Sequence, residues 1–113
     1  MTQAPIGARR RRFVLETPLD EPDGFGGHLR RYVAGPVLWG SIARVGADER
    51  TRNGRSESVA THRVGLRWRP GVASGMRLAA GLRRFAIRSA GDPDGRRREL
   101  ACEVEEIVPE GAV

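Results

Sequence analysis

Hydrophobic positions along this chain recur mostly with a period of two, the pattern of strands that bury one face. It is clearest in residues 58–69, where His62, Val64, Leu66 and Trp68 alternate with Arg63, Gly65, Arg67 and Arg69 before Pro70-Gly71 ends the run. Residues 9–16 predict an opening strand with Phe13 and Leu15 on one face. In residues 37–45, after the Gly35-Pro36 break, Val37, Trp39, Ser41, Ala43 and Val45 share one face, and Leu38, Gly40, Ile42 and Arg44 the other. Both faces are partly apolar, so this strand is expected to be covered on both sides, with Trp39 in the core. Residues 76–80 and 82–90 predict a hairpin around Gly81, with Phe85 and Ile87 inward. Gly91-Asp92-Pro93-Asp94-Gly95 is a turn signal, and the last strand, residues 97–108, sets Leu100, Cys102 and Val104 against Glu99, Glu103 and Glu105. The expected core is therefore Phe13, Leu15, Trp39, Val64, Leu66, Trp68, Phe85, Ile87, Leu100 and Val104.

The segments between these runs are of two kinds. Residues 17–27 hold two prolines, two aspartates and three glycines, a composition that predicts a loop, mobile near Asp23-Gly24-Phe25-Gly26-Gly27. Residues 46–57 are polar and offer little to anchor them to a core; they read either as a long hairpin tip or as a disordered excursion. Residues 29–34 leave room for a short helix. The prediction is an all-β domain spanning residues 1–113, a small antiparallel barrel or sandwich of about six strands with long early loops and at most one short helix. Its ordered part is expected over residues 9–108, with flexible loops at 17–28 and 46–57.

Composition narrows the function. A chain of 113 residues supports one core. No apolar run approaches the roughly 18 residues that cross a bilayer, and the arginines before Phe13 are followed by no apolar stretch of signal-peptide length, so a cytoplasmic protein without a membrane role is expected. The single cysteine, Cys102, cannot form an internal disulfide, which agrees. Every one of the 20 basic residues is arginine. A GC-rich genome explains that better than binding does, since lysine also holds phosphate. The net charge of +6 nevertheless attracts nucleic acid or an acidic protein surface.

Candidate chemistry is sparse. His28, His62 and Cys102 show no metal-ligand spacing, and neither a metal nor a cofactor is expected. His62 and Cys102 both fall on inward faces, and beyond the presence of the two residue types nothing supports a nucleophile–base pair. The glutamates at 99, 103, 105 and 106 alternate along a strand instead of converging, and no phosphate-binding glycine motif occurs. No catalytic residue and no enzymatic activity are expected. Arg63, Arg67 and Arg69, with Arg83, Arg84 and Arg88 on the next hairpin, form a basic surface; exposed aromatic platforms for stacking bases are not evident beside it.

Several motifs stand in one order along the chain. Thr61-His62-Arg63-Val64-Gly65-Leu66-Arg67-Trp68-Arg69-Pro70-Gly71 is followed by Met76-Arg77-Leu78, Phe85-Ala86-Ile87-Arg88-Ser89, Asp92-Pro93 and Arg97-Arg98-Glu99-Leu100. Upstream stand Arg12-Phe13-Val14-Leu15-Glu16-Thr17-Pro18, Asp23-Gly24-Phe25-Gly26-Gly27 and Val37-Leu38-Trp39-Gly40-Ser41-Ile42. Together they resemble the phage head–tail joining family (head–tail adaptor, head-closure or stopper proteins), including gene transfer agent homologues. The resemblance covers most of residues 10–106; its one departure is residues 29–36, arginine-rich and longer than the family pattern before the tryptophan strand.

That resemblance implies a structural connector: a small β-barrel assembling as a six- or twelve-fold homo-oligomeric ring at the head–tail junction of a virion or phage-like particle. A portal or adaptor protein would lie above the ring and a tail terminator or tail tube below it. Packaged double-stranded DNA would pass through the lumen without sequence-specific contact. In some relatives the loop between the second and third strands closes the channel, which by position makes residues 46–57 the gate, with Arg50, Arg52, Asn53 and Arg55 facing DNA. The candidate subunit interface pairs two stripes of opposite charge between neighbours: Arg63, Arg67 and Arg69 on one, Glu99, Glu103 and Glu105 on the other. Two alternatives stay open, a basic small-barrel nucleic-acid-binding protein and a tail-terminator ring subunit.

Overall fold

A computed structural model describes residues 11–45 and 60–108. Six strands follow one another: β1 (Arg11–Pro22), β2 (His28–Arg44), β3 (His62–Arg67), β4 (Arg77–Ala80), β5 (Arg83–Gly91) and β6 (Glu99–Ile107). All neighbours are antiparallel, in the order β1-β2-β3-β6-β5-β4, and β4 pairs back onto β1 to close a barrel. No helix occurs among the described residues. Closure satisfies edges that an open sheet would expose, and a barrel this narrow is filled by its own side chains.

The inward positions are those that the alternation marks. Phe13 and Leu15 on β1, Leu38 on β2, Val64 and Leu66 on β3, Leu78 on β4, Phe85 and Ile87 on β5, and Leu100, Cys102 and Val104 on β6 form one buried cluster. Each such side chain contributes about 1.5–3 kcal/mol through removal from water. Burial also raises the Cys102 thiol to about 11, so it stays protonated at neutral pH.

Two of the expected core residues sit elsewhere. Trp39 is 56% exposed, because Leu38 and Gly40 occupy the inner face of β2 and the tryptophan between them points out. Both faces of this strand carry apolar residues, so periodicity alone could not select the buried one. Trp68 is half-buried at one mouth of the barrel, with the Arg97 guanidinium 5.5 Å from its ring centroid.

The early loop and the possible helix are likewise replaced by strand. β1 continues through residues 17–22, and residues 29–34 lie inside β2 and pair with it, from Glu16↔Ala34 to Pro22↔His28. Pro18 and Pro22 do not stop β1, because beyond Glu16 it pairs only with β2 among the described residues, which leaves its other edge without a described partner. Between Val14↔Val37 and Glu16↔Ala34, β2 carries one residue more than β1. Gly35 and Pro36 occupy this bulge, a place where a missing N–H is tolerated. The expected gate residues Arg50, Arg52, Asn53 and Arg55 lie outside the described residues.

Glycine is required where β2 crosses β3. A Cβ on Gly40 would sit 2.4 Å from the Gly65 carbonyl oxygen and 2.6 Å from Leu66 Cδ2. Gly40→Ala is therefore expected to cost about 1–3 kcal/mol through overpacking. Gly91→Ala, where nothing lies within 4 Å of the new Cβ, should be near neutral. Thermal unfolding of the two variants checks this, and equal melting temperatures would contradict the close approach.

Candidate docking surfaces

β1 and β2 are longer than the barrel they help to form. β4 meets β1 only at Val14, Leu15 and Glu16, and β3 meets β2 only from Gly40 onward. Beyond those points the two strands pair with each other alone, as a hairpin arm that rises past the barrel mouth beside Trp68 and Arg97. The molecule is accordingly elongated, with principal extents of 51 × 31 × 27 Å.

The arm turns at residues 23–27. The Asp23 carboxylate accepts from the backbone N–H groups of Phe25 (2.7 Å) and Gly27 (3.0 Å), and the Asp23 N–H donates to the Gly27 carbonyl (3.1 Å). Gly24 and Gly26 have φ of +83° and +86°, values a side chain would oppose. This tight turn leaves the Phe25 side chain 94% exposed at the tip. Two ion pairs lace the strands: Arg30 donates to Asp20 at 2.7 Å and Arg31 to Glu21 at 3.0 Å. The Arg30 hydrogen bond holds the Asp20 carboxyl below the usual carboxylate range.

A third device fixes the arm to the barrel. Glu16 is buried at the point where β4 leaves β1, and it accepts from Arg77 at 2.5 Å, with Arg84 at 3.6 Å. The Arg77 guanidinium also lies 3.8 Å from the centroid of Tyr32, which pairs with Pro18 on the arm. One arginine thus ties the seam between β1 and β4 to the first turn-ward residues of the arm.

Besides Phe25, three groups of large apolar side chains are exposed among the described residues. On the arm, Leu19, Leu29 and Val33 are 41%, 64% and 45% exposed. Leu19 shares the β1 phase of Phe13 and Leu15, so this face continues the barrel interior into a region with no opposite wall. On the outer barrel wall, Val37 and Trp39 are exposed, across from Val14 and Arg12 respectively. At the barrel end away from the arm, Leu82 in the β4–β5 turn is exposed together with Ile107 and Val108. Exposed groups of large apolar side chains are candidate contact surfaces on a small domain.

The stripes expected to pair between subunits prove to be neighbours within one. Arg63 faces Glu103 and Arg67 faces Glu99 across the β3–β6 ladder. Arg63 and Glu103 approach to 3.9 Å, and Glu105 accepts from Arg88 on β5. The two stripes interleave on one side of the barrel instead of forming separate faces, and sequence alternation could not reveal that β3 and β6 are adjacent. Arg69 follows β3, and its buried Nε has no hydrogen-bond partner among the described residues.

The opposite end is closed by polar groups. Arg83 donates to Glu106 at 2.8 and 3.0 Å while its guanidinium lies 4.9 Å from the Phe85 centroid, and that bond holds the Glu106 carboxyl below the usual range. His62 meets Phe85 edge-on, with ring centroids 5.4 Å apart, and its Nδ1 is 2.9 Å from Thr61 Oγ1. The Thr61 hydroxyl in turn accepts from the Glu106 N–H at 2.7 Å. His62 is thus held by packing and hydrogen bonding, and Cys102 is fully buried as a neutral thiol. Among the described residues no three His, Cys, Asp or Glu side chains group as metal ligands.

Comparison with known proteins adds three findings. The model of the phage head completion protein family matches residues 4–107. The solution structure of protein SF1141 from Shigella flexneri 2a is similar at 25% identity, with a TM-score of 0.69 over 91% of this chain and 96% of that one. A chain from the virion of a native gene transfer agent particle shares the fold at 24% identity, with a TM-score of 0.66 over 88% and 96% of the two chains. No curated protein matches the sequence.

The tie between arm and barrel generates a prediction. Removing the ring in Tyr32→Ala deletes an interaction of about 0.5–2 kcal/mol, enough to raise amide exchange in the arm several-fold. β3 and β6 should keep their protection. Unchanged arm exchange, or equal loss throughout the barrel, would contradict this role for Arg77 and Tyr32.

Proposed function

The chain belongs to the phage head completion protein family, and we propose that it acts as a connector subunit, forming a ring between the portal of a DNA-filled capsid and the tail. Members of this family are structural proteins of the phage head, not enzymes. The role fits a molecule whose one cysteine is buried and whose His62 is held against Phe85 and Thr61, with its distinctive features on the surface.

The observation that carries this reading is the placement of open apolar groups at both ends of an elongated barrel. Phe25 stands at the arm tip, and Leu82, Ile107 and Val108 stand at the far end. A subunit inserted between two protein layers needs two separate contact surfaces facing opposite ways, and a rigid closed barrel keeps them apart. The gene transfer agent particle that contains a chain of the same fold is a compatible setting.

The nucleic-acid-binding alternative has less support. Arg30, Arg31, Arg63, Arg77, Arg83, Arg84, Arg88 and Arg98 each pair with a carboxylate of the same chain, so much of the basic surface is neutralised locally. The proposal also assigns closure of the channel to residues 46–57, with Arg50, Arg52 and Arg55 holding the DNA end through phosphate contacts. The described residues that flank it, Val45 and Ala60, lie at the barrel end away from the arm.

Electron microscopy of particles made without this gene tests the proposal. DNA-filled or leaking heads beside separate, complete tails are expected, and normal tailed particles would refute the connector role. Replacing Arg50, Arg52 and Arg55 together with serine should let DNA escape from tailless heads; full retention would remove the closure assignment.

A further inference from the structure

The β1–β2 ribbon has two uncovered apolar surfaces, on opposite faces and at different heights. The upper one is the inner face of the arm, where Leu19, Leu29 and Val33 surround the Arg31–Glu21 ion pair; the lower one, Val37 and Trp39, is the outer face of the barrel wall. Neither can cover the other within one molecule, because they point away from each other. Between two copies they can meet, with the inner face of one arm laid on the outer wall of the next barrel.

Charge favours the same match. The arm, residues 17–34, carries Asp20, Glu21 and Asp23 against Arg30 and Arg31, a balance of −1 in a chain of +6. The wall is basic: Arg12 stands directly across from Trp39, and Arg67 lies one step beyond the Gly40↔Leu66 pair on the other side. Among the described residues, neither Arg12 nor Arg67 makes an ion pair or side-chain hydrogen bond. An acidic arm tip and a wall where Arg12 and Arg67, the latter facing Glu99 across the ladder, flank an exposed indole are complementary, and tryptophan and arginine are the residues that most often anchor protein interfaces.

We propose that Leu29 and Val33 of one copy pack against Val37 and Trp39 of a second copy, with the acidic arm tip directed toward Arg12 and Arg67. This deepens the connector reading and rests on it. Because the two surfaces are different, the contact is heterologous: every copy offers one arm and one wall, and successive copies close into a ring or run on as a fibre.

Disulfide trapping in purified particles tests the contact. Two double variants are made, Leu29→Cys with Trp39→Cys and Val33→Cys with Val37→Cys, so that failure of one pair to fold leaves the other. Cys102 does not compete, being fully buried with its thiol pushed up to about 11. After mild oxidation, a non-reducing gel probed for this chain should show a ladder of dimers and larger multimers from either double variant. Leu29→Cys alone and Trp39→Cys alone should stay monomeric. Particles that contain the chain but yield only monomer from both double variants would overturn the arm-on-wall contact. Dimers from a single variant would replace it with a symmetric one, and a cross-link to a protein of different size would assign the surface to another partner. Complete tailed particles lacking the chain would instead sink the connector reading itself.

Discussion

The seam between β1 and β4 is three residue pairs long, and the architecture depends on it. Val14↔Ala79, Leu15↔Leu78 and Glu16↔Arg77 close the sheet into a barrel, sealing Phe13, Leu15 and Leu78 against Phe85. β4 itself has only four residues, so β1 runs on after its partner ends. That mismatch creates the arm. Glu16 stands at the point of departure, buried and shared by Arg77 and Arg84, and breaking such a pair by removing one partner leaves a poorly solvated charge. Arg77 then carries the constraint upward through its contact with Tyr32, so closing the barrel and supporting the arm are one arrangement of side chains.

From this constraint the surface acquires its polarity. A closed barrel has few free strand edges, and the exposed large apolar side chains among the described residues lie at the two ends and on one wall. The arm end bears Phe25 on a turn held by Asp23; the other end bears Leu82 beside the Arg83–Glu106 pair that caps the core. Most of the side wall is tiled with arginine–glutamate pairs that keep the barrel soluble while contributing little each to stability. Trp39 and its neighbours interrupt that tiling. The proposed position between two layers and beside copies of itself calls for this division: rigid within, selective at a few places outside.

How much of this was readable from the residues follows from how local each feature is. All six strands were legible, because alternation in runs such as His62–Arg67 is a property of adjacent residues. So was most of the core, from Phe13 to Val104. The ordered motifs of residues 10–106 carried the family. The arm was not legible, since prolines, glycines and aspartates in residues 17–27 resemble a loop when it is unknown that one edge of β1 is free. Trp39 was misplaced because its strand is apolar on both faces and only the bulge at Gly35 and Pro36 sets the phase. The arginine and glutamate stripes were each read correctly as outward, but their adjacency is a fact of topology: β3 pairs with β6 across 31 intervening residues, from Trp68 to Arg98. Residues 29–36, where the family pattern fitted least, turned out to span the second strand of the arm and its bulge.

The central claim is that this barrel joins two different protein layers through its opposite ends. Cryo-electron microscopy of the intact particle, with the subunit located at the head–tail junction, tests it most directly. The account predicts that the arm tip at Phe25 contacts one layer and that Leu82, Ile107 and Val108 contact the other. A subunit found outside the junction, or one whose two ends meet the same layer, would contradict it.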